Sequence, residues 1–259
     1  MEERFLATPF LPEKQVALVA IDGRCNGKTP GYPNLVARLA DLNIRVLEVP
    51  VCPSLYQAIG AHPDIQFHPV DGKNIVIAPN AGKGLAEKLL AEGFSLIEGK
   101  SILTEKYPAN VAYNVARIGN LAFHRLDIID PVLREELMKR GVELIHVKQG
   151  YSKCSALILG NNLLITEDRG LWEKATAMGI NTLLVESGFV QLPALNYGFL
   201  GGTGGLIAKN KIAITGDITL SSSYLNIIKY LKDCSCGLEF LSQELALDIG
   251  SLVPLKEWA

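Results

Sequence analysis

Apolar runs, tight turns and one helical pattern follow each other in a fixed order between residues 150 and 186. The pattern predicts a strand at 155–159, a turn at 160–162, a strand at 163–166, a helix over 168–179 and a strand at 180–185. Gly160 and Asn161 suit the tight turn of a hairpin because both tolerate a positive φ. Asp168 is a good helix N-cap, and Gly179 is a good residue to follow a helix. This stretch is therefore predicted to be a strand–strand–helix–strand unit.

The same order of elements recurs along the rest of the chain, which predicts five units in total. The other four units cover residues 16–49, 65–97, 111–145 and 206–241. The turn residues of units two to five follow one another at intervals of 47, 41 and 50 residues, and they are Gly72, Gly119, Gly160 and Asn210. Repeats of this length are typical of arrays in which each copy packs on its neighbours.

The first unit lacks one strand, and the end of the chain offers a replacement. Only residues 16–21 form an apolar run before the helix predicted at 34–42. The run at 245–249 is a spare strand that would complete this unit and close a ring. The alternative is an ordinary α/β sheet, but such a chain has one strand for each helix, whereas units two to five have three. We therefore predict a single α/β domain, residues 1–259, built as a pseudo-symmetric five-unit ββαβ propeller and closed by the C-terminal strand.

Composition narrows the class of protein and its partners. The net charge is −2, without a block of Lys or Arg, which argues against a nucleic-acid surface. No apolar run reaches the roughly 18 residues needed to cross a bilayer, and the first residues do not resemble a signal peptide. The five cysteines lack metal-ligand spacing, so reduced thiols in a cytoplasmic protein are expected. We expect no metal, no cofactor and neither a nucleic-acid nor a membrane partner, and we leave a homodimer open.

Reactive residue types concentrate in the segments that lead into the first strand of each unit. In a ring, these segments would lie near the common axis. They hold His62 and Asp64 before unit two, Tyr151 and Cys154 before unit four, and glycines at 201–205 before unit five. This grouping predicts a central pocket for a small-molecule ligand.

Cys154 and His62 are the candidates for catalysis. A thiolate is a strong nucleophile, and a neighbouring histidine lowers the pKa of a thiol. The alternative for Cys154 is a small buried thiol at the start of a core strand, and the alternative for His62 is a stiff turn with Pro63 and Asp64. A separation above about 8 Å between the Cys154 sulfur and the His62 ring would exclude proton transfer between them.

The connection over residues 186–205 is the longest without periodicity, and loops of this length are often functional. Asn196 and Tyr197 are candidates for lining the pocket, and Gly202 is a candidate for close approach of the backbone to a ligand. The glycines here precede a strand, whereas a phosphate-binding loop opens a helix. Nucleotide binding is therefore not expected.

Three aspartates, Asp22, Asp168 and Asp217, end second strands at matching places in their units. Capping of the following helix explains all three, because a carboxylate accepts hydrogen bonds from the first N–H groups of a helix. Asp217 follows Gly216 and is therefore also a candidate for ligand binding.

Five ββαβ units closed by a C-terminal strand resemble the pentein superfamily, the α/β propeller of guanidino-group-modifying enzymes. That superfamily includes arginine and agmatine deiminases, dimethylarginine hydrolase and amidinotransferases, and also a ribosome-binding initiation factor without catalysis. The segments that resemble an uncharacterised bacterial branch of it are His62-Pro63-Asp64, Gly150-Tyr151-x-x-Cys154-Ser155 and Asn196-Tyr197-Gly198-Phe199-Leu200-Gly201-Gly202. The resemblance implies a cysteine hydrolase or transferase for a guanidino or amide-like substrate, or a non-catalytic binding or scaffold module of the same fold.

By this resemblance, Cys154 would be the nucleophile, His62 the acid and base, and Asp64 a clamp for the substrate cation or a partner of His62. The His62-x-Asp64 spacing resembles the His-x-Asp or His-x-Glu element of the deiminases. Those enzymes carry the cysteine in the final unit, which here begins with residues 202–205. The cysteine of this chain thus lies one unit early, which favours the non-catalytic alternative.

Overall fold

The computed structural model describes residues 2–259 and contains five small sheets, one of four strands and four of three strands. In units two to five, the first two strands pair antiparallel, a helix follows, and the third strand pairs parallel to the second. The elements in chain order are β1 (Glu3–Phe5), β2 (Val16–Asp22), α1 (Leu35–Asp41), β3 (Arg45–Val49), a 3₁₀ turn (Gln57–Ile59), α2 (Pro63–Gln66), β4 (Phe67–Pro69), β5 (Asn74–Ile77), α3 (Leu85–Ala91), β6 (Ser95–Glu98), β7 (Ala116–Ile118), β8 (Leu121–His124), α4 (Pro131–Lys139), β9 (Glu143–His146), β10 (Ala156–Gly160), β11 (Leu163–Thr166), α5 (Arg169–Ala177), β12 (Asn181–Leu184), a 3₁₀ turn (Leu200–Thr203), β13 (Gly204–Ala208), β14 (Lys211–Ile214), α6 (Tyr224–Asp233), β15 (Gly237–Phe240) and β16 (Val253–Trp258).

The C-terminal strand closes the ring by pairing with the first unit. β16 runs antiparallel to β2, with Val253 opposite Ala20 and Glu257 opposite Val16, and it carries β1 on its other side. β3 pairs parallel to β2, so the first unit has the same arrangement of strands as the other four. The predicted five-unit ββαβ propeller closed by the C-terminal strand is confirmed.

The closing strand lies further along the chain than the sequence predicts. The prediction of a strand at 245–249 is wrong, because those residues form only two single bridges to other segments and Val253–Trp258 forms the strand. Between them, Gly250 and Ser251 adopt φ angles of 69° and 73°. The chain therefore turns before it enters the sheet, and the apolar run belongs to that buried turn.

Two other first strands also begin later than predicted. The strands expected at 65–67 and 111–116 begin instead at Phe67 and Ala116. The residues before each are buried but turned, as the helix α2 in one case and as hydrogen-bonded turns in the other. Burial keeps such segments apolar, so the hydrophobic pattern alone does not distinguish them from strands.

Asp168 caps α5 as predicted, and Asp130 caps α4, whereas no aspartate caps α1 or α6. Asp130 and Asp168 accept hydrogen bonds from the first N–H groups of α4 and α5. Asp22 and Asp217 are separated from their helices by loops, and each accepts a hydrogen bond from the backbone two residues ahead. The capping prediction is therefore wrong for these two residues.

Each of the five longer helices buries two apolar side chains four residues apart. This spacing places both side chains on one face of the helix, which packs against the sheet of its own unit. The pairs are Leu35/Leu39, Leu85/Leu89, Leu133/Leu137, Leu171/Ala175 and Ile227/Leu231. No helix among residues 2–259 has the length and apolar character needed to cross a membrane.

Candidate functional site

The segments that lead into the first strands come together, and each unit contributes at least one residue. Asn114 from unit three donates from Nδ2 to the Asp64 carbonyl oxygen of unit two and to the Cys154 sulfur of unit four, both at 3.2 Å. Gly202 of unit five lies so close to the carboxylate of Asp248, before β16, that a Cβ atom would overlap it. The close approach predicted for Gly202 is thus to the protein's own carboxylate.

Cys154 is held in a fixed position by its neighbours. Its side chain is buried, and its thiol donates to Asp64 Oδ2 at 3.2 Å. Its backbone N–H donates to Asn114 Oδ1 at 3.2 Å, so the amide of Asn114 contacts both ends of the residue. Burial raises the pKa of the Cys154 thiol well above its ordinary value, and the nearby Asp64 charge raises it further. The resting form of this cysteine is therefore the neutral thiol.

His62 lies beside the thiol and is free to exchange a proton. It directly precedes α2, and burial lowers the pKa of its imidazole well below the ordinary value, so the ring is neutral. Neither ring nitrogen has a hydrogen-bond partner among residues 2–259. Donor atoms of His62, Cys154 and Asp248 all lie within 4.8 Å of one another, which is inside the separation of about 8 Å that would exclude the pair. Direct proton transfer needs hydrogen-bond reach, about 2.6–3.2 Å, or one bridging water.

Asp248 is the carboxylate beside His62, and the sequence analysis missed it. Its Oδ1 lies 3.8 Å from His62 Nδ1, and it accepts hydrogen bonds from the backbone of Phe199 at 2.9 Å and Gly250 at 3.0 Å. Burial raises the pKa of Asp248 to about 7, although these two hydrogen bonds act in the opposite direction. Asp248 could have been identified from its place in the segment before the closing strand. The wrong prediction of a strand at 245–249 concealed that place.

Asp64 occupies a different position from the one predicted as a partner of His62. Its Oδ2 accepts from the Cys154 thiol and, at 2.9 Å, from Ser251 Oγ. Lys153 Nζ donates to Ser251 Oγ at 2.8 Å and is itself buried. Burial raises the pKa of Asp64, and the Lys153 charge partly offsets this. The sequence analysis singled out neither Ser251 nor Lys153, because neither belongs to a recognisable motif.

Glu167 is a further carboxyl group close to Asp248. Its Oε2 accepts from Leu200 N at 2.7 Å, and its Oε1 has no partner in the part of the chain that the structure describes. Burial raises the pKa of Glu167 to about 7, and the charge of Asp248 contributes to this rise. Asp248 and Glu167 are therefore each only partly ionised at neutral pH.

A cavity of about 280 Å³ opens onto Cys154. Of the predicted site residues, the structure places these in its wall: His62, Tyr151, Cys154, Asn196 and Tyr197. Asp248 also contributes to the wall, and the remaining lining residues are the apolar or aromatic Tyr56, Ile59, Leu192, Leu195 and Phe199. The wall is thus mostly apolar, with its polar groups gathered around the thiol.

Three residues predicted to contact a ligand do not line this cavity, and they are Asp64, Gly202 and Asp217. Asp64 instead accepts hydrogen bonds from Cys154 and Ser251. Gly202 is covered by Asp248, as described above. Asp217 binds the backbone and side chain of Thr219 at 2.8 and 2.7 Å and also forms a bridge with Leu245. Gly202 and Asp217 have structural contacts that account for their positions, and a ligand-binding role for either stays a prediction.

His62, Cys154 and Asp248 also have the donor atoms of a metal site. Imidazole, thiolate and carboxylate are all zinc ligands, and catalytic zinc sites use three protein ligands with one open position. The same three groups form a nucleophile, a proton carrier and a cation-binding carboxylate without a metal. Removal of divalent ions by a chelator distinguishes these two uses.

A second, larger cavity of about 680 Å³ is lined mainly by residues 188–196 of the same loop. It shares Leu192, Leu195 and Asn196 with the wall of the first cavity. None of the residues that line it has a titratable side chain. The chemistry is therefore concentrated in the smaller cavity.

Solved structures share this fold at low sequence identity. Agmatine deiminase from C. jejuni is 9% identical, with a TM-score of 0.54 over 93% of this chain and 91% of that chain. Inosamine-phosphate amidinotransferase from Streptomyces griseus is 12% identical, with a TM-score of 0.54 over 92% of both chains. DDAH from Pseudomonas aeruginosa, complexed with citrulline, is 9% identical, with a TM-score of 0.52 over 88% of this chain and 92% of that chain.

Sequence comparison identifies a family rather than an individual relative. No curated protein matches the sequence. The model of a family of unknown function, DUF6873, matches residues 29–253, which is most of the chain. The structural likeness confirms the predicted fold. The chain therefore belongs to the DUF6873 family and has the fold of the pentein superfamily.

Proposed function

We propose that the protein is a cysteine hydrolase or transferase that acts on a guanidino or amide-like small molecule in the cavity above Cys154. The observation that carries this proposal is the approach of His62, Cys154 and Asp248 to within 4.8 Å of one another at the wall of a cavity. A nucleophile, a proton carrier and a carboxylate are the groups that nucleophilic substitution at a cationic carbon requires.

In the first step, the Cys154 thiol transfers its proton to the neutral His62 ring, and the thiolate forms a C–S bond to the central carbon of the substrate. His62 then returns the proton to the leaving nitrogen, the C–N bond breaks, and ammonia or an amine departs. In the second step, a water molecule gives a proton to His62 and forms a C–O bond, and the C–S bond breaks to release the product. His62 then returns that proton to the Cys154 thiolate, so both groups are neutral again. An amine in place of water would give transfer instead of hydrolysis.

The two aspartates have separate roles in this scheme. Asp248 lies at the cavity wall and binds the substrate cation, and it stabilises the imidazolium that forms on His62. Asp64 accepts the hydrogen bond of the resting thiol and so orients the sulfur. Since the resting thiol is neutral, the arrival of a cation next to Asp248 supplies the positive charge that favours the thiolate.

The structural neighbours support the proposed class of substrate. Agmatine deiminase, an amidinotransferase and DDAH share the fold over roughly nine tenths of the chain. Likeness at this level of identity concerns the fold, and function depends on the residues of the site. The proposal therefore depends on the named side chains and is tested on them.

Thiol labelling with 2-chloroacetamidine, a planar cation that resembles a guanidinium, tests the proposal. The thiolate would displace chloride from the CH₂ carbon and leave a thioether, which mass spectrometry locates. We expect Cys154 to react at least tenfold faster than the half-exposed Cys234, although Cys154 is buried. The His62→Ala variant should lose about 100-fold in the Cys154 rate, and the exposed His146→Ala control should retain it.

Two controls of the labelling experiment test the need for a cationic reagent and for a metal. Neutral 2-chloroacetamide has nearly the same shape and should show no preference for Cys154 over Cys234. A chelator added to the reaction should leave the rate unchanged if the site works without a metal. Reaction of Cys154 no faster than Cys234 would remove the nucleophile from the proposal.

The alternative is a non-catalytic binding protein of the same fold. The final unit, in which the superfamily resemblance implies the cysteine, begins with Gly202-Thr203-Gly204-Gly205 and has no cysteine there. In that case, a guanidinium ligand would stabilise the protein in a thermal-shift assay. The Cys154→Ala variant would be stabilised equally, and no ligand would be turned over by either protein.

A further inference from the structure

The charges around the cavity are unevenly distributed. Among residues 2–259, no Lys or Arg side chain lines it, and Asp248 is its one acidic lining residue. The nearby cations are engaged elsewhere: Lys153 Nζ binds Ser251 and lies 5.7 Å from the centre of the Phe10 ring. Arg24 is paired with Asp22 and donates to backbone carbonyl groups. A carboxylate on a ligand would therefore lose its water without gaining a positive partner.

The rest of the wall suits an apolar group next to a cation. Tyr56, Tyr151, Tyr197 and Phe199 contribute four aromatic rings to the wall. The Tyr56 and Tyr151 hydroxyl groups lie 3.3 Å apart, and the Tyr151 and Phe199 rings are 6.0 Å apart between centres. Aromatic faces attract cations and pack against flat apolar groups. A cationic head held by Asp248 would have these rings beside it.

The mouth of the cavity contains apolar side chains that the fold leaves uncovered. Leu195 is 49% exposed and Tyr197 is 45% exposed, although both line the cavity. They lie on a loop in which Ala194 has a φ of 67°, a backbone conformation that side-chain-bearing residues seldom adopt. Large apolar side chains that are exposed at the edge of a pocket mark a surface that a bound ligand covers.

We propose that the site takes a guanidinium or amidinium carried on a short uncharged apolar or aromatic group, and that it rejects substrates with a carboxylate. This inference rests on the proposed function and names its substrate class. The volume of about 280 Å³ admits the head and one small substituent, since ligand pockets usually span ~300–1000 Å³. Leu195 and Tyr197 are then the residues that determine specificity, because the substituent lies against them.

Three reagents test the inference through the rate of Cys154 alkylation. They are 2-chloroacetamidine and its N-benzyl and N-(3-carboxypropyl) derivatives, which share one reactive carbon. We expect the benzyl reagent to react at least tenfold faster than the unsubstituted one, measured as kinact/KI, and the carboxypropyl reagent to be the slowest. The ratio of the benzyl rate to the unsubstituted rate should fall at least fivefold in Leu195→Ala and in Tyr197→Ala.

Leu225→Ala is the matched control, because Leu225 is 77% exposed on α6 and lies outside the cavity. Its ratio should equal that of the unchanged protein. A carboxypropyl reagent as fast as the benzyl reagent, or a ratio insensitive to Leu195 and Tyr197, would overturn the inference and leave the proposed function standing.

If no reagent labels Cys154, the proposed function is removed. The inference about the ligand class can then still be tested by measuring binding alone. Calorimetry on the Cys154→Ala variant then compares benzylguanidine with 4-guanidinobutyrate. Tighter binding of benzylguanidine by at least tenfold, reduced in Tyr197→Ala, supports the stated ligand class. Equal binding, or tighter binding of the carboxylate compound, contradicts it.

Discussion

At the scale of single residues, the ionisable groups of the site are neutral or only partly ionised when no ligand is bound. Cys154 and His62 are both neutral at rest because burial disfavours their charged forms. Asp248 has a pKa of about 7 and is only partly ionised at neutral pH. A cation at the wall of the cavity would favour the carboxylate and the thiolate together. Ligand binding and activation of the thiol are thus coupled by charge.

Binding of a guanidinium ligand should weaken as the pH falls below about 7. In the free protein Asp248 takes up a proton below its pKa of about 7, and a bound cation must displace that proton. We expect the association constant of benzylguanidine with Cys154→Ala to fall by up to tenfold per pH unit between about 7 and 5. Calorimetry measures this constant directly.

The neighbouring titratable groups set the controls for this measurement. Glu167, Asp64, Lys153 and His62 surround Asp248, and Glu167 also titrates near pH 7. Asp248→Asn should therefore reduce the pH dependence and leave the part that belongs to Glu167. Asp217→Asn, outside the cavity, should leave the dependence unchanged. A constant that does not vary between pH 5 and 8 would contradict the assignment of Asp248 as the cation-binding group.

Glu167→Gln should stabilise the protein at high pH and leave its stability unchanged at low pH. The folded-state pKa of Glu167, about 7, lies above its unfolded value, so the native state loses stability as the pH rises through that range. Gln keeps the acceptor for Leu200 N and cannot ionise. We expect the free energy of unfolding to rise by roughly 1 to 3 kcal/mol at pH 8 and by nothing measurable near pH 4.

Urea unfolding at the two pH values checks this expectation. An equal gain at both values would show that packing, and not the carboxylate charge, causes the effect.

At the scale of elements, the aspartates that cap helices differ in which segments of the chain they connect. Asp168 Oδ1 accepts from Leu171 N, the capping bond of α5, and its Oδ2 accepts from Gln149 Nε2 at 3.1 Å within the same unit. Asp130 Oδ1 caps α4, and its Oδ2 also accepts from the backbone N–H groups of Lys100 and Ser101 at 2.8 and 2.7 Å. One aspartate thus caps a helix, whereas the other also connects the helix to the preceding unit.

Substitution by alanine should reveal that difference in the free energy of unfolding. We expect Asp168→Ala to cost about 1 kcal/mol, the usual value of a cap. Asp130→Ala should cost about 3 kcal/mol, because it also removes the acceptor of the Lys100 and Ser101 N–H groups and of the Tyr113 hydroxyl. Equal costs for the two variants in urea unfolding would mean that the link from Asp130 to residues 100–101 contributes nothing.

The elements show what the sequence could and could not predict. Alternating apolar runs and turn residues predict the unit order, because hairpins and helices impose their own periods on the chain. The bounds of the first strands fail at 65–67, 111–116 and 245–249, where buried turns are as apolar as strands. These turns are also where the site residues lie. Errors in the element bounds therefore concealed part of the site.

The reactive groups were predictable only as far as their residue types are distinctive. A cysteine, a histidine and an aspartate in equivalent segments identified Cys154, His62 and Asp64 as candidates. Asp248 was missed because its segment read as a strand, and Lys153 because a lysine beside a cysteine in sequence carries no signal. Its burial and its bond to Ser251 Oγ depend on tertiary structure. Pairings between distant residues require the fold.

At the scale of the whole molecule, the closing strand joins the first and last parts of the chain. β16 lies between β1 and β2, and its Val253 and Leu255 are buried in the core. Glu257 is also buried, and its carboxylate accepts from the backbone N–H groups of Glu13 and Lys14 at 2.7 and 2.8 Å. The first unit therefore depends on residues from both ends of the chain.

Removal of residues 253–259 should abolish cooperative unfolding, because it exposes the edge and the apolar face of β2. Removal of residues 1–5 is the matched control, since β1 is an outer strand that pairs only with β16. We expect the control to fold with a lowered midpoint. A normal urea transition in the C-terminal deletion would show that the ring does not need its closing strand.

The site draws its parts from positions that are far apart in the order of synthesis. Ser251 binds Asp64 across 187 residues of chain, and Asp248 reaches His62 only when the same C-terminal segment is in place. A ribosome adds Asp248 and Ser251 long after Cys154. A polypeptide that terminates before Asp248 would therefore carry its cysteine without the carboxylate beside its histidine.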